Sequence, residues 1–493
     1  MNFLIDKYEV TNREFMEFIN NNGYQNKGFW EHDFIKDGLV LSWEEAMMEL
    51  RDATGRLGPA TWHVGSYPEG QENYPVTGIS WYEAAAYAEF ANKSLPTIYH
   101  WIHAAGTNAG SQIIPLSNFA DEGPAPIGSY EGMSPFGTYD MAGNVREWCW
   151  NSAGANRWIL GGAWSDPTYM FTFANAQSPW DRSPTNGIRC VKYLGESLPD
   201  TCTAPVQPSF RDYSNEEPVT ADVFEVYKNQ FTYDPTDLRP VIESTDETSD
   251  WHIKEKISFD AAYGKERVYA YLLLPRSSSP PYQTVVLFPG SGAIVFGSSD
   301  VELSGSLYGF VTKSGRALML PIYKGTYERN DGLTSTWPRE THEYAEYLIK
   351  WVKDLRRSID YLETREDIDA TKLAYFGFSW GGRMGAIIPA VEQRLKVSLI
   401  YAGGLAQAKA RPEVDQINYI TRVKIPVLML NGKYDSVEPI KTAQEPMFRL
   451  WGTPEKDKRW ILYDTDHGNL PSNESIGEML DWLDRYLGPV TTK

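Results

Sequence analysis

The segment 372–382, with the sequence KLAYFGFSWGG, places one serine between two glycines after a short apolar run. The apolar run is typical of a buried strand, and residues 381–391 predict a helix. Ser379 therefore lies on the turn between a strand and a helix. Such a turn needs small residues two positions before and after the serine, and Gly377 and Gly381 meet that need. The segment predicts a reactive serine; a glycine-rich loop that happens to contain a serine is the alternative.

The residues around this segment indicate its fold class. From about residue 217, apolar runs suited to buried strands alternate with helical patterns, of which 344–362 is the longest. This alternation predicts an α/β fold with a mostly parallel sheet, whose sites gather at the carboxyl ends of the strands. The apolar runs are 268–274, 284–288, 316–321, 372–376, 397–401 and 426–430.

A serine needs a base, usually a histidine, because its hydroxyl is a weak nucleophile. The chain has seven histidines, and only His467 follows Ser379. It comes shortly after the apolar run 460–463, on a loop of the kind that a catalytic histidine needs. In this kind of fold the acid precedes the histidine in the chain, so the order Ser379, acid, His467 is available.

Several carboxylates compete for the role of the acid that orients the histidine. Asp435 is the preferred candidate because it follows the run 426–430 by a short turn. Glu438 is a substitute, and Asp415 has a less strand-like setting. Asp464 and Asp466 precede His467 on the same loop and are interpreted as turn residues.

An oxyanion hole completes the predicted constellation. One backbone N–H comes from the residue after the nucleophile, which is Trp380, and the other comes from the loop after an early strand. That loop has the sequence FPGSG at 288–292, and we assign the second N–H to Ser291, with Gly292 close behind.

The same half of the chain resembles the dienelactone-hydrolase and acyl-peptidase-like branch of the α/β-hydrolases. The resemblance rests on KLAYFGFSWGG, on IPVLMLNGKYDSVEP at 425–439 and on TDHG at 465–468. It implies a serine esterase whose triad is Ser379, Asp435 and His467. Dienelactone hydrolases proper usually carry cysteine as the nucleophile, so serine at this position favours ordinary ester hydrolysis.

Residues 1–195 have a different, loop-rich texture, with one clear helix over 80–88. Ser80 and Glu83 have the spacing of a capping box at its start. This half resembles the formylglycine-generating-enzyme (sulfatase-modifying factor) family, which implies a C-type-lectin-like α+β fold. The matching phrases are IDKYEVTNREFMEF (5–18), PVTGISWYEAAAYAEFANKSLPT (75–97), GTYDMAGNVREW (137–148), LGGAW (160–164) and NGIRC (186–190).

The resemblance does not extend to the oxidase chemistry of that family. Its members use a copper-bound cysteine pair, whereas the corresponding segment 161–177 contains no cysteine. Cys190 matches a different family cysteine. We therefore expect no formylglycine-generating activity from this half, and we interpret Cys149 and Cys190 as packed thiols.

Metal sites in the N-terminal half are only weakly indicated. Asn144 and Glu147 match positions that bind calcium in some family members, so the resemblance implies a structural calcium site there; hydrogen bonding within a turn is the alternative. His100 and His103 share a predicted helix face, but no further ligands accompany them, which favours core or surface histidines.

Composition limits the remaining possibilities. The formal net charge of -19 argues against a nucleic-acid partner. The chain shows no signal-peptide pattern and no apolar run of the roughly 20 residues that span a bilayer, so we expect a soluble, cytoplasmic protein without a membrane partner. The family strand that usually precedes IDKYEVTN is absent, which suggests that a segment upstream of residue 1 is missing.

The order of the halves resembles the C-terminal part of bacterial proteins that join a Ser/Thr kinase, a sulfatase-modifying-factor domain and a hydrolase. We predict a formylglycine-generating-enzyme-like domain at 1–195, a polar linker with three prolines at 196–216 and an α/β-hydrolase domain at 217–493. Kinase motifs are lacking from the sequence.

The resulting hypothesis is a carboxylic-ester hydrolase that acts through an acyl-enzyme on a small-molecule ester and needs no cofactor. The non-catalytic N-terminal domain is expected to shape substrate access. An acyl-peptidase-type serine peptidase and a non-catalytic binding or signalling module are the alternatives. The ester specificity and the oligomeric state are left open.

Overall fold

The computed structural model describes residues 2–120, 122–195, 198–207, 211–304 and 307–492. The chain divides into two compact units, one comprising residues 1–208 with Tyr434–Ser436 and the other comprising residues 209–433 and 437–493. Among the described residues, no helix has both the length and the apolar character that crossing a bilayer requires.

The first unit combines short strands with short helices. Its strands are β1 (Phe3–Ile5), β2 (Phe34–Lys36), β3 (Leu39–Leu41), β4 (Arg146–Ala153), β5 (Asn156–Leu160), β6 (Asn175–Gln177), β7 (Asn186–Gly187) and β8 (Val191–Tyr193). Its helices are α1 (Asn12–Asn20), α2 (Trp43–Glu49), α3 (Trp81–Phe90), α4 (Ile98–Ala105), α5 (Gly110–Ile113) and α6 (Asp200–Thr203).

The strands of this unit form three small sheets. Strand β1 pairs antiparallel with β8, β2 with β3, and the remaining four run in the order β6-β5-β4-β7. Helix α3 begins as the sequence predicts, because Ser80 accepts a hydrogen bond from the N–H of Glu83 while the Glu83 carboxylate accepts one from the N–H of Ser80. The α+β character expected for this half is confirmed.

The second unit is built on one large sheet. Its strands are β9 (Val241–Asp246), β10 (His252–Asp260), β11 (Arg267–Pro275), β12 (Tyr282–Phe288), β13 (Ala317–Ile322), β14 (Ile368–Phe378), β15 (Leu395–Tyr401), β16 (Val427–Gly432) and β17 (Lys458–Tyr463). Its helices are α7 (Ala221–Asn229), α8 (Asp300–Ser304), α9 (Gly309–Lys313), α10 (His342–Glu363), α11 (Trp380–Met384), α12 (Ile388–Val391), α13 (Ile417–Ile420), α14 (Glu445–Leu450) and α15 (Ser472–Leu487).

The strand order of the large sheet is β17-β16-β15-β14-β12-β13-β11-β10-β9. The strands from β13 across to β17 are parallel to one another, and β11, β10 and β9 continue the sheet in antiparallel pairs. The predicted α/β fold with a mostly parallel sheet is confirmed. Strand β14, which leads to Ser379, lies inside the parallel part, so loops from both sides converge on its carboxyl end.

The helix predicted over residues 381–391 is not continuous in the structure. Residues 381–391 form two short helices, α11 and α12, rather than one. The break follows Gly385, whose α-carbon packs so closely on Ile400 that an added Cβ would lie 2.2 Å from its Cδ1. Pro389 lies at the start of α12, where its missing N–H leaves no helical hydrogen bond unmade.

The predicted linker, 196–216, lies partly outside the described residues, at 196, 197 and 208–210. Its described parts are held to neighbouring structure. The side chain of Asn151 donates hydrogen bonds to the carbonyls of Cys202 and Ala204. The hydroxyl of Tyr213 donates to the carbonyl of Ala406, and Arg211 pairs with Asp415. Polar composition did not predict these anchoring contacts.

Candidate active site

Ser379 lies on a sharp turn between β14 and α11. Its backbone has φ 52° and ψ −105°, an uncommon conformation for a residue other than glycine. An added Cβ on Gly377 would lie 2.3 Å from the carbonyl oxygen of Gly381, and one on Gly381 would lie 2.1 Å from that of Phe288. The expected need for glycine at both positions is therefore confirmed, and its cause is close backbone approach.

The structure brings Ser379 and His467 together. The Oγ atom of Ser379 lies 2.7 Å from Nε2 of His467. His467 lies on the loop that follows β17. The serine hydroxyl donates this hydrogen bond when the imidazole carries its proton on Nδ1. The ring of Phe378 packs beside the imidazole, with 6.3 Å between centroids and an angle of 27° between the planes. The predicted nucleophile and base are thus in contact on an apolar support.

Asp435 is almost fully buried, with 1% of its surface exposed, on the loop that follows β16. This loop begins against the loop of His467. An added Cβ on Gly432, at the end of β16, would lie 2.3 Å from the carbonyl oxygen of Thr465 and 2.4 Å from that of Asp466. The carboxylate of Asp435 therefore belongs to a loop that starts next to the residues preceding His467.

Three of the competing carboxylates have other partners. Glu438 lies 3.2 Å from Nε of Arg383, Asp464 is exposed and pairs with Lys433 at 2.8 Å, and Asp415 is paired with Arg211. Asp466 is buried, like Asp435. The assignment of the acid to Asp435 stays a prediction.

Both predicted oxyanion donors lie beside the nucleophile. Trp380 begins α11, so its N–H has no acceptor within the helix. Ser291 begins a short 3-10 turn, Ser291–Ile294, directly after Gly290. An added Cβ on Gly290 would lie 3.6 Å from Cβ of Ser379. This approach holds the loop of Ser291 against the nucleophile turn.

Arg383 lies one helical turn after the nucleophile, and no sequence motif indicated a role for it. Its N–H donates to the carbonyl of Ser379 at 3.0 Å, and its buried guanidinium contacts Glu438 on one side. The indole of Trp337 lies on its other side, with 4.0 Å from the ring centroid to the guanidinium carbon. Arg383 therefore joins α11 to two loops that follow other strands.

A second set of contacts joins the loop after β12 to the loop after β13. The side chain of Asn330 donates to the carbonyl of Ile294 at 2.9 Å. The hydroxyls of Tyr308 and Tyr327 each donate to the Glu302 carboxylate at 2.7 Å. These contacts fix the segment that continues from Ser291–Ile294, and single-sequence patterns could not have found them.

In the first unit, the candidate calcium ligands have protein partners. The Glu147 carboxylate is fully buried and accepts hydrogen bonds from Arg189 and from the Trp101 indole. The Asn144 side chain donates to Glu9 at 2.7 Å. Within the described residues, no group of three or more His, Cys, Asp or Glu could hold a metal ion. The calcium site stays a prediction, and these contacts favour a structural role for both side chains.

Cys149 and Cys190 are free and fully buried, which confirms that they are packed thiols. Burial raises the pKa of both thiols above its usual range, so neither is poised as a thiolate. His100 is buried in α4, where its Nδ1 lies 2.5 Å from the hydroxyl of Thr97. The interpretation of His100 as a core histidine is confirmed.

Comparisons with known proteins agree with this division of the chain. Residues 1–194 match the sulfatase-modifying factor enzyme 1-like domain, and residues 270–468 match the dienelactone hydrolase family.

Individual relatives each cover part of the chain. The serine/threonine-protein kinase pkn1 of Chlamydia pneumoniae is 26% identical over 222 residues, which cover 39% of this chain and 33% of that protein. The formylglycine-generating enzyme of Thermomonospora curvata is 32% identical over 186 residues, covering 31% of this chain and 61% of that enzyme. The solved acetyl xylan esterase from Paenibacillus sp. R4 aligns with a TM-score of 0.41 and 16% identity, covering 56% of this chain and 98% of its own.

The chain spans about a third of the length of the first two curated relatives, both of them kinases. The two resemblances expected from the sequence are confirmed. The chain carries a sulfatase-modifying factor enzyme 1-like domain at residues 1–194, followed at residues 270–468 by a hydrolase domain of the dienelactone hydrolase family.

Proposed function

We propose that the hydrolase domain is a serine carboxylic-ester hydrolase that works through an acyl-enzyme. The observation that carries the proposal is the 2.7 Å contact between Ser379 Oγ and His467 Nε2, at a backbone turn that only glycine neighbours permit. A serine hydroxyl in contact with an imidazole is the arrangement that activates a weak nucleophile. The dienelactone hydrolase family supplies the coarser assignment of a hydrolase.

In the first half-reaction, Ser379 Oγ bonds to the ester carbonyl carbon while His467 Nε2 takes the hydroxyl proton. The carbonyl oxygen becomes an oxyanion, which the N–H groups of Trp380 and Ser291 stabilise. The carbon–oxygen bond to the alcohol then breaks, and the alcohol leaves with the proton held on Nε2. In the second half-reaction, water repeats these steps on the acyl-enzyme and releases the acid. The cycle uses no metal or cofactor.

Asp435 completes the proposed triad by accepting a hydrogen bond from Nδ1 of His467. This contact holds the proton on Nδ1, leaves Nε2 free to act as a base, and stabilises the imidazolium that forms during the reaction. The burial of Asp435 and the packing of its loop against the residues before His467 support this role.

Hydrolysis of p-nitrophenyl butyrate by matched variants tests the proposal. We expect Ser379→Ala and His467→Ala each to lower kcat by a factor on the order of 10⁴ or more. The control variant His342→Ala changes a histidine that is 77% exposed on α10 and should keep wild-type activity. Equal activity of wild type and Ser379→Ala would refute the proposal. Covalent labelling by a fluorophosphonate probe, lost only in Ser379→Ala, gives a second readout.

The acid is tested by a direct comparison of Asp435 with Asp466, both of which are buried. Asp435→Asn is expected to lower kcat on the order of 10⁴-fold, because the amide favours the wrong histidine tautomer. Asp466→Asn should have a much smaller effect. The reverse ranking would transfer the role to Asp466.

We further propose that the sulfatase-modifying factor enzyme 1-like domain, at residues 1–194, is non-catalytic. The burial of Cys149 and Cys190 and the ion pair of Glu147 with Arg189 support this, because these groups are not available at a surface. That the unit shapes substrate access stays a prediction from the sequence. Purified protein is expected to leave a cysteine-containing sulfatase peptide unmodified in the presence of copper, and formation of formylglycine by mass spectrometry would contradict the proposal.

A further inference from the structure

Three large apolar side chains are exposed on the loops that follow β12 and β13. Val295 is 77% exposed, Phe296 is 42% exposed and Trp337 is 39% exposed. A single exposed apolar residue needs no explanation, whereas several beside a reactive group indicate a binding surface. The contacts of Phe296 and Trp337 place these two residues near the nucleophile, and Val295 directly precedes Phe296 in the chain.

Phe296 is linked to Ser379 through the oxyanion loop. Its ring packs on the α-carbon of Gly292, where an added Cβ would lie 2.8 Å from the ring atom Cε2. Gly292 is two residues from Gly290, whose α-carbon lies against Ser379. The phenyl ring therefore covers the segment that carries Ser291, the proposed second oxyanion donor.

Trp337 approaches the nucleophile turn from the next loop. Its indole stacks on the guanidinium of Arg383, and the N–H of Arg383 donates to the carbonyl of Ser379. The hydrogen bond from Asn330 to Ile294 joins the loop after β13 to the segment that precedes Val295. The two loops thus form one partly apolar rim on the β12 and β13 side of the nucleophile.

The position of His467 decides which part of an ester meets this rim. In the sheet order, β17 and the loop of His467 lie on one side of β14, whereas β12 and β13 lie on the other. His467 has to protonate the departing alcohol oxygen, so the alcohol lies on the β17 side. The acyl group diverges from the alcohol at the carbonyl carbon, so it is free to extend toward the loops after β12 and β13.

We propose that Phe296, with Val295 and Trp337, contacts the acyl group, and that the substrates are esters of apolar acids larger than acetate. This inference rests on the proposed esterase function and deepens it by naming the acyl class. Burying each additional methylene of the acyl chain against these side chains favours the transition state, which corresponds to about a threefold gain in kcat/KM per methylene.

The test is a series of p-nitrophenyl acetate, butyrate and hexanoate with purified full-length protein. The wild type is expected to show a kcat/KM for hexanoate about 80-fold above that for acetate, because the two acyl chains differ by four methylenes. Phe296→Ala is expected to reduce this ratio to about threefold or less, mainly through KM. Val241→Ala, which truncates an exposed valine on β9 at the far edge of the sheet, should retain the wild-type ratio.

A second series varies the alcohol at a constant acyl group, with ethyl, butyl and hexyl butyrate. A length preference in this series but not in the acyl series would overturn the assignment of the rim. So would a wild type that prefers acetate, or a Phe296→Ala variant that keeps the wild-type ratio. Thermal unfolding and the rate of fluorophosphonate labelling verify that the variant is folded with an intact nucleophile.

The outcomes separate this inference from the proposed function. If the wild type hydrolyses no ester and is not labelled at Ser379, the proposed function fails. If it hydrolyses all three acyl esters at similar kcat/KM, the esterase stands and only the acyl assignment fails.

Discussion

Gly381→Ala tests the physical basis of the nucleophile turn. The added Cβ would lie 2.1 Å from the carbonyl oxygen of Phe288 and 2.8 Å from its carbonyl carbon. Both are backbone atoms of β12, a strand paired on both sides, so no side chain can rotate out of the way. Relief requires the turn and the strand to separate by about 1 Å, and Ser379 lies within that turn.

The expected cost follows from this displacement. Overpacking of a well-packed interior typically costs about 1–3 kcal/mol. In a domain of this size, each kcal/mol lowers Tm by about 2–4 °C. A shift of about 1 Å in a catalytic group can lower the rate by about 10²-fold. We therefore expect Gly381→Ala to lower the Tm of the hydrolase domain by about 2–12 °C and kcat for p-nitrophenyl butyrate by about 10²-fold.

Gly477→Ala is the matched control. Gly477 lies within α15, where an added Cβ would meet nothing within 4 Å. The same chemical change there should raise stability by about 0.5–1 kcal/mol and leave kcat unaltered. A Gly381→Ala variant with wild-type Tm and kcat would refute the argument, because the backbone contact at Phe288 could not then be as close as described.

Three further predictions concern charges and thiols. Arg383→Met removes the cation that pairs with the buried Glu438 carboxylate, so it should lower the free energy of unfolding in urea by about 3–5 kcal/mol. The double variant Arg383→Met/Glu438→Gln should recover part of this loss. Burial opposes ionisation of Asp52, but hydrogen bonds from three backbone N–H groups outweigh it and lower the pKa of this carboxyl to about 2. Asp52 therefore stabilises the fold above about pH 4, and this stabilisation is lost as the pH falls toward 2. The stability difference between wild type and Asp52→Asn should therefore shrink between pH 4 and pH 2; a constant difference would contradict the assignment. Cys149 and Cys190 should resist a disulfide thiol reagent at pH 8 until the protein unfolds, and rapid native reaction of all the thiols would contradict their burial.

The parallel strands could be predicted because they are buried on both faces and therefore appear as continuous apolar runs. Strand β9 escaped prediction since it is an edge strand whose residues are almost all exposed, and its sequence VIESTD carries no apolar periodicity. The end of α11 escaped as well, because it depends on the packing of Gly385 against Ile400 on a neighbouring strand.

The residues of the candidate site could be predicted where the sequence offers few candidates for a role. His467 is the only histidine after Ser379, so chain order alone identified it, and the structure brings the two side chains together. The acid was harder, because several carboxylates follow β16 and burial cannot be read from one sequence. Arg383 and Phe296 were not predicted at all, since their importance depends on which loops meet at the end of the sheet.

The backbone conformation of Ser379 has a consequence for the evolution of the molecule. A non-glycine residue at φ 52° and ψ −105° stores conformational strain on the order of 1–3 kcal/mol, and the surrounding packing has to outweigh it. Selection for stability alone would therefore favour glycine at this position, at the expense of the hydroxyl. A sequence that keeps serine here retains a local instability in exchange for reactivity, so a descendant in which glycine replaces Ser379 would lose the reactive hydroxyl and gain thermal tolerance.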